Sequence, residues 1–440
     1  MEKVVIIGGG PAGRVLIHSL HGSNKEYDIT LVKDEEINAN RCAVPYGIID
    51  KKPVEKFCIP NSLITDFGAK LIIDKATEID TTNRVIYTDK NHLLHYDHLL
   101  LATGSRPFIP ELEGIDLGNI LTVRSKSDME TIRGLAKVSK RCVVIGGGYI
   151  GVEVAVVLKK IGLDVTIVEM LPHILLATMD DDFAKEIEDS IIKNGIDVVT
   201  GTKVVRLEGD KVVKRVVLSD GRFIETDFVI VAVGVLPNTD LAAKSGIATS
   251  KFGIITDDYL MTNAPDVYAA GDCAEKKSFI TGKPIRGEFG TNAVFMGKYV
   301  AKNILGKRSK FLGVINANAS TAFEYSFGSA GLIYKAALSE GIDAVMGESE
   351  VMDMYPMMDG VATIKTKLVF DRKTGKIIGG AVLRKGHCTA ANVDFISFAI
   401  QMGATIEDIL NYQYCTHPEL AAKPSDNIYI FAAKDAFKKI

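Results

Sequence analysis

The sequence predicts an α/β protein built from two doubly wound, Rossmann-like nucleotide-binding domains and a C-terminal α+β domain. The first observation behind this is a glycine fingerprint that occurs twice, as Val5-Ile6-Ile7-Gly8-Gly9-Gly10-Pro11-Ala12-Gly13 and as Val143-Val144-Ile145-Gly146-Gly147-Gly148-Tyr149-Ile150-Gly151. In each copy an apolar run that reads as a buried parallel strand enters the turn and an Ala/Val/Leu-rich helix leaves it, the context the motif requires. The second observation is that both copies continue with the same layout, a long-period repeat of one nucleotide-binding unit. The third is length: 440 residues exceed one ordinary core, and about two to four domains are expected.

The elements follow in order. After the first loop come a strand at Ile29-Thr30-Leu31-Val32, a stretch of loop and antiparallel strands, and a strand from His98 that ends in the small-residue turn Ala102-Thr103-Gly104. Pro107 and Pro110 punctuate the chain before Leu112, which reads as a boundary. The second loop has its own following strand, Val165 to Val168, and a later one running from Phe228 to Gly234. A strand ending in Ala269-Ala270-Gly271-Asp272 and a helix from Thr291 to Ile304 then return the chain to the first domain. The last part carries strands at Leu368-Val369-Phe370 and Ile377 to Val382 and helices at Ala390 to Met402 and Thr405 to Leu410. The expected domains are therefore 1–111, 112–245, 246–310 and 311–440, with the first and third forming one fold.

In each loop the first glycine permits the tight turn, the second lets a pyrophosphate approach the backbone, and the third lets helix and strand pack closely. Two such loops imply two dinucleotides that exchange electrons. Formal charge is −3, from 52 basic and 55 acidic residues, and the cations are scattered without interleaved aromatics, which argues against nucleic acid as a partner. The chain enters its first strand with no charged n-region or apolar h-region, and no apolar run approaches the ~20 residues of a membrane span. A cytoplasmic protein without a membrane partner is expected. Cys42, Cys58, Cys142, Cys273, Cys388 and Cys415 show no C-x-x-C and no metal-ligand spacing, so thiols rather than a metal site are expected.

The order of first fingerprint, Ala102-Thr103-Gly104, second fingerprint and Thr262 to Asp272 resembles the FAD-dependent pyridine nucleotide-disulfide oxidoreductases along essentially the whole chain. The resemblance implies that FAD is held by Gly8, Gly10, Pro11, Ala12 and Gly13, by Ala102, Thr103 and Gly104, and by Gly271 and Asp272, with Asp272 at the ribityl-phosphate portion. Arg124 matches a family arginine near the FAD phosphates, a surface arginine being the alternative. It implies likewise that Gly146, Gly148, Tyr149, Ile150, Gly151 and Gly234 hold the nicotinamide nucleotide, with Tyr149 as a gate over the flavin. Glu169 follows the strand about twenty residues past the glycines, where a carboxylate accepts from a ribose 2′-OH and repels a 2′-phosphate, favouring NADH over NADPH. The C-terminal domain is implied to be for dimerisation, making a homodimer.

Asn40-Arg41-Cys42-Ala43-Val44-Pro45-Tyr46 closely resembles the single-cysteine branch of that family, which contains coenzyme A-disulfide reductases, NADH oxidases and NADH peroxidases. Cys42 is the matching redox cysteine, and a helix N-terminus together with Arg41 is expected to lower its pKa. Hydride would pass from NADH to FAD and two electrons onward to Cys42, held as a mixed disulfide or sulfenic acid. Tyr355-Pro356 is similar to a Tyr-Pro of the coenzyme A branch, whose tyrosine approaches the partner subunit's cysteine. His417-Pro418 is similar to the His-Pro of the two-cysteine branch, which makes His417 the candidate proton donor. The chain departs from its relatives at Pro11, where oxidases and peroxidases carry histidine, and at Gly22, where coenzyme A reductases carry a basic residue that His18 or His21 could replace. The acceptor is accordingly a low-molecular-weight disulfide such as coenzyme A disulfide or a persulfide, with O2 as in an NADH oxidase, or a small electron-carrier protein, as the alternatives.

Overall fold

A computed structural model describes residues 1–49 and 51–440, in two compact units: Met1–Ile109, Val123–Gly134 and Gly234–Val314 form one, and Pro110–Thr122, Leu135–Val233 and Ile315–Ile440 the other. Among the described residues no helix is long and apolar enough to cross a membrane.

The first unit is organised on a five-stranded parallel sheet in the order Val267–Ala269, His98–Leu101, Glu2–Ile7, Tyr27–Lys33, Lys70–Ile73. Val4, Ile6, Leu31, Leu99 and Leu100 are fully buried, as strands covered on both faces require. The helices Pro11–His21 and Gly290–Ile304 pack together, close enough that a Cβ on Gly297 would lie 2.6 Å from Ala12 O. The strand Val267–Ala269 thus returns to the sheet opened by the first loop, and the last helix begins at Gly290, one residue before its expected start.

The second unit repeats the plan with a parallel sheet in the order Ile120–Leu121, Phe228–Val231, Arg141–Ile145, Asp164–Val168, Asp197–Val199. Its strand from Phe228 stops at Val231 rather than Gly234, because the chain turns and Gly234 takes a φ of 109°. The same unit holds a five-stranded antiparallel sheet in the order Asn318–Ala322, Tyr325–Gly331, Ile377–Lys385, Thr363–Asp371, Ala344–Met352. The helices Ala390–Met402 and Ile428–Phe437 pack on it. Thr405 does not begin the next helix but caps it: it accepts from the Asp408 amide and Asp408 accepts from its amide, so the helix is Ile406–Asn411. The helix Lys126–Val138 has no counterpart in the sequence reading because its apolar face is thin, burying only Met129, Ile132 and the arginine Arg133.

Candidate active site

The first glycine loop is shaped by three close approaches. Gly8, at φ 114°, has room for no Cβ because Ala102 O stands there, and Gly13 would meet Gly8 O at 2.5 Å. Gly10 caps the helix with Pro11 at its first position, and nothing lies within 4 Å of where its Cβ would be. That open cradle at a helix N-terminus is the space a pyrophosphate requires. Gly271 fits between Ala12 and Ala293, which brings the Gly271-Asp272 turn onto the same helix start. Thr103 and Asn238 pin the Ala102 turn by exchanging bonds, Oγ1 to Asn238 O at 2.8 Å and Asn238 Nδ2 to Thr103 O at 2.9 Å. Asp272 accepts from Ser105 Oγ at 2.7 Å and lies 3.9 Å from the Arg124 guanidinium, whose pKa burial lowers, helped by Arg41 and opposed by Asp272. Arg14, Ser105 and Asn238 were not singled out from the sequence, and Arg14 Nε reaches Gly10 O at 3.4 Å.

Cys42 is exposed and belongs to the same unit. Its expected helix is in fact a three-residue 3₁₀ turn, Arg41–Ala43, running into the single helical turn Val44–Gly47, too short for a useful dipole. Arg41 is also directed elsewhere: it pairs with Glu35 at 2.6 Å and donates to Arg124 O at 2.6 Å, so its charge is largely compensated. A helix N-terminus from a distant part of the chain lies close by. A Cβ on Gly290, the first residue of the helix Gly290–Ile304, would stand 3.9 Å from Cys42 Sγ. The N-terminus of a 15-residue helix thus lies beside the thiol, the kind of position that in general suits a thiolate. Arg133 holds the following segment by donating to Gly47 O at 2.6 Å and Lys52 O at 2.7 Å. His18 and His21 both pack on Phe67, and His18 Nε2 is engaged with Leu63 O at 3.0 Å, so His18 is not a spare cation at Gly22.

In the second unit the loop repeats the geometry: Gly146 has a φ of 107° with Ala232 O against it, Gly151 packs on Gly146 O, and nothing lies within 4 Å of the Gly148 Cβ position. Glu169 folds back on this loop, accepting from the Gly147 amide at 2.6 Å and the Leu171 amide at 2.8 Å. Ile150 is 41% exposed on the first helical turn, whereas Tyr149 is spoken for within its own unit. The Tyr149 hydroxyl bonds Asn318, its ring lies parallel to Phe327 with centroids 6.0 Å apart, and burial pushes its pKa up to about 12. Gly234 groups with the first unit, where its carbonyl accepts from the Phe108 amide at 2.9 Å.

The two C-terminal candidates are brought together, since the Tyr355 amide donates to Pro418 O at 3.0 Å. His417 is exposed and its Nδ1 accepts from the Glu419 amide at 3.3 Å. An aromatic group that the sequence did not single out anchors this tail: Tyr412 packs against Phe395, accepts from Asn427 at 2.7 Å, and is pushed up to about 12 by burial.

Two nucleotide cradles, one with an exposed thiol facing a helix N-terminus in its own unit, define a nicotinamide- and flavin-type oxidoreductase. The chain belongs to the pyridine nucleotide-disulphide oxidoreductase family: residues 2–297 match the family itself and residues 318–427 its dimerisation domain. It is an enzyme of the FAD- and NAD(P)H-dependent class. It is 34% identical to an NADH oxidase of Methanocaldococcus jannaschii over 100% of this chain and 99% of that protein. A CoA-dependent NAD(P)H sulfur oxidoreductase of Pyrococcus abyssi is 32% identical over 86% of each chain. The structure of an NAD-dependent persulfide reductase from A. fulgidus matches with a TM-score of 0.94 and 29% identity over 99% of this chain and 83% of that one. The C-terminal α+β domain is therefore the dimerisation domain that the resemblance implied.

Proposed function

We propose that the protein is a homodimeric NADH-dependent reductase of a low-molecular-weight disulfide or persulfide, coenzyme A derivatives included, acting through Cys42. The observation that carries this reading is the exposed Cys42 thiol beside the N-terminus of Gly290–Ile304, in the unit that holds the Gly8 loop. Residues 1–111 with 246–310, 112–245 and 311–440 would serve as the FAD, NADH and dimerisation domains. FAD, when bound, supplies the two-electron relay between the nicotinamide and sulfur. Gly10, at the open helix N-terminus, would hold its pyrophosphate, and Asp272, set by Ser105 and Arg124, its ribityl portion. Gly148 would hold the NADH pyrophosphate, and the Glu169 carboxylate accepts from the ribose 2′-OH and repels a 2′-phosphate. Cys42 attacks one sulfur of the acceptor as thiolate, forming a mixed disulfide and expelling the other as thiolate; His417 of the partner subunit, as its imidazolium, gives that leaving group a proton and is reprotonated from solvent, and Tyr355 lies on the loop bonded to the same tail. In sum, NADH, one proton and a disulfide give NAD⁺ and two thiols.

The dimer has its own support. On the helix Ala390–Met402, Val393, Ile396 and Ile400 face inward while Phe398 and Met402, one turn apart, stay 63% and 66% exposed. A second apolar face of this kind in a dimerisation domain suits a second copy of the chain.

The M. jannaschii relative favours a second reading, NADH oxidation by O2. Stopped-flow absorbance with Cys42→Ser separates the two. The disulfide reading expects the variant to be bleached by NADH at the wild-type rate and to turn over no coenzyme A disulfide under argon. Wild-type turnover of NADH in air that needs no disulfide and survives Cys42→Ser would refute it.

A further inference from the structure

The two glycine loops are superposable in their bonding, and one position carries opposite charge in them. The Gly8 amide donates to Val32 O at 2.8 Å and the Gly146 amide to Val168 O at 2.9 Å, so the residues one step on, Lys33 and Glu169, are equivalent. Both turn onto the middle glycine of their loop. Glu169 accepts from the Gly147 amide, whereas a Cβ on Gly9 would stand 2.9 Å from Lys33 Cδ and 2.7 Å from Asn38 Oδ1. Lys33 is 4% exposed, and its ammonium is fixed by Asn61 Oδ1 at 2.7 Å, Asn38 Oδ1 at 2.9 Å and Glu36 O at 3.2 Å. The acid at this place in a dinucleotide fold accepts from the adenosine ribose. A buried ammonium accepts nothing and donates three times.

We infer that Lys33 determines how the Gly8 loop recognises its dinucleotide, binding the adenosine ribose of FAD as a hydrogen-bond donor to the ribose hydroxyl oxygens. The longest of its present bonds, to Glu36 O, is the one a ribose oxygen replaces. The neighbourhood agrees, since Arg14 beside Gly10 is a second cation at this loop where the other has Val152. Lys33 is also tied to the redox segment: Asn38 donates to Glu35 at 2.6 Å, and the other oxygen of Glu35 pairs with Arg41, next to Cys42.

The inference rests on the reading that the Gly8 loop takes FAD. Its test uses full-length protein stripped of flavin and titrated with FAD and with FMN, which has no adenosine. Lys33→Met is expected to weaken FAD by about tenfold, the worth of one charged hydrogen bond, and to leave FMN unchanged. Lys33→Arg, still a donor, is expected to stay within about threefold of wild type for both. Equal affinity of wild type and Lys33→Met for FAD, or loss of FMN by the same factor, overturns the inference. Should Lys33→Met not fold, wild type and Lys33→Arg are compared with FAD built on 2′-deoxyadenosine, and undiminished binding of that analogue overturns it. Wild-type protein that takes up no FAD would instead overturn the cofactor assignment itself, before any variant is made.

Discussion

The proposed preference for NADH over NADPH is expected to be lost when Glu169 is replaced. The carboxylate is held on the loop by the Gly147 and Leu171 amides at 2.6 and 2.8 Å, so its charge cannot swing away from an incoming 2′-phosphate. A unit charge and a dianion about 8 Å apart repel by roughly 4 kcal/mol at an effective dielectric of about 20, and one Debye length of screening reduces this to roughly 1.5 kcal/mol. Losing the ribose hydrogen bond to a charged acceptor adds about 1.5 kcal/mol. The total of about 3 kcal/mol is a preference on the order of a hundredfold in kcat/KM. Glu169→Gln removes the charge and keeps an acceptor oxygen for one of the two amides, which in the wild type bond separate carboxylate oxygens. It should bring the two nucleotides within about tenfold of each other, chiefly by improving NADPH. Initial rates with each nucleotide at fixed disulfide, at low and high salt, measure this. Raising salt should narrow the wild-type preference and leave the variant's alone. A hundredfold preference that survives in Glu169→Gln would place discrimination elsewhere and refute the reasoning.

Two further outcomes follow from other contacts. Gly290→Asp sets a carboxylate where a Cβ is 3.9 Å from Cys42 Sγ, so the thiol pKa should rise and iodoacetamide should alkylate Cys42 about tenfold more slowly at pH 7, a unit of pKa; an unchanged pH–rate profile would remove the helix N-terminus from the account. Burial alone would raise the Asp74 carboxyl, but hydrogen bonds from Thr88, His92 and the Lys75 and Lys90 amides outweigh it and hold the group well below the usual carboxylate range. A depressed folded-state pKa stabilises above the unfolded value of about 3.9 and is lost as pH falls below it, so Asp74→Asn should lower the denaturation midpoint at pH 7 and the deficit should shrink below about pH 4. A deficit independent of pH would show that the hydrogen bonds, and not ionisation, carry the effect.

What the sequence displays is what neighbours in the chain decide. The strand, turn and helix of each glycine loop lie within a few residues, so Gly8, Gly13, Gly146 and Gly151 could be read as positions of tight turning and close packing, and they stand against Ala102, Gly8, Ala232 and Gly146. The surroundings of Cys42 are decided at long range. Arg41 looks like an activating cation until Glu35 is seen to neutralise it, and the helix that does face the thiol begins at Gly290, a residue with no motif of its own. His18 looks like a cation for a nucleotide, yet its ring stacks on Phe67 and its Nε2 is engaged with Leu63 O, contacts made at a distance in the chain. Asp272 was legible through its Ala-x-Gly-Asp context, but Ser105 and Arg124, which orient it, approach from two other segments.

The family's chemistry needs the two loops to differ, and the difference lies in side chains rather than in the fold. Four strands of each sheet share one arrangement, the outer strand coming last in the chain in one sheet (Val267–Ala269) and first in the other (Ile120–Leu121), and both loops have the same glycine geometry, so neither cradle alone selects its dinucleotide. A donor nucleotide must bind and leave in every turnover, whereas a relay must stay. On the proposed assignment Glu169, on a loop whose helix continues through the apolar Val152, offers one charged acceptor to the ribose of the donor, and Lys33 offers the retained dinucleotide a charged donor at its ribose, with Arg14 a second cation beside that loop. Exchanging these charges between the loops should therefore exchange retention for turnover. A flavin that dissociates readily from Lys33→Met, while NADH release stays fast, is the asymmetry this division of labour requires.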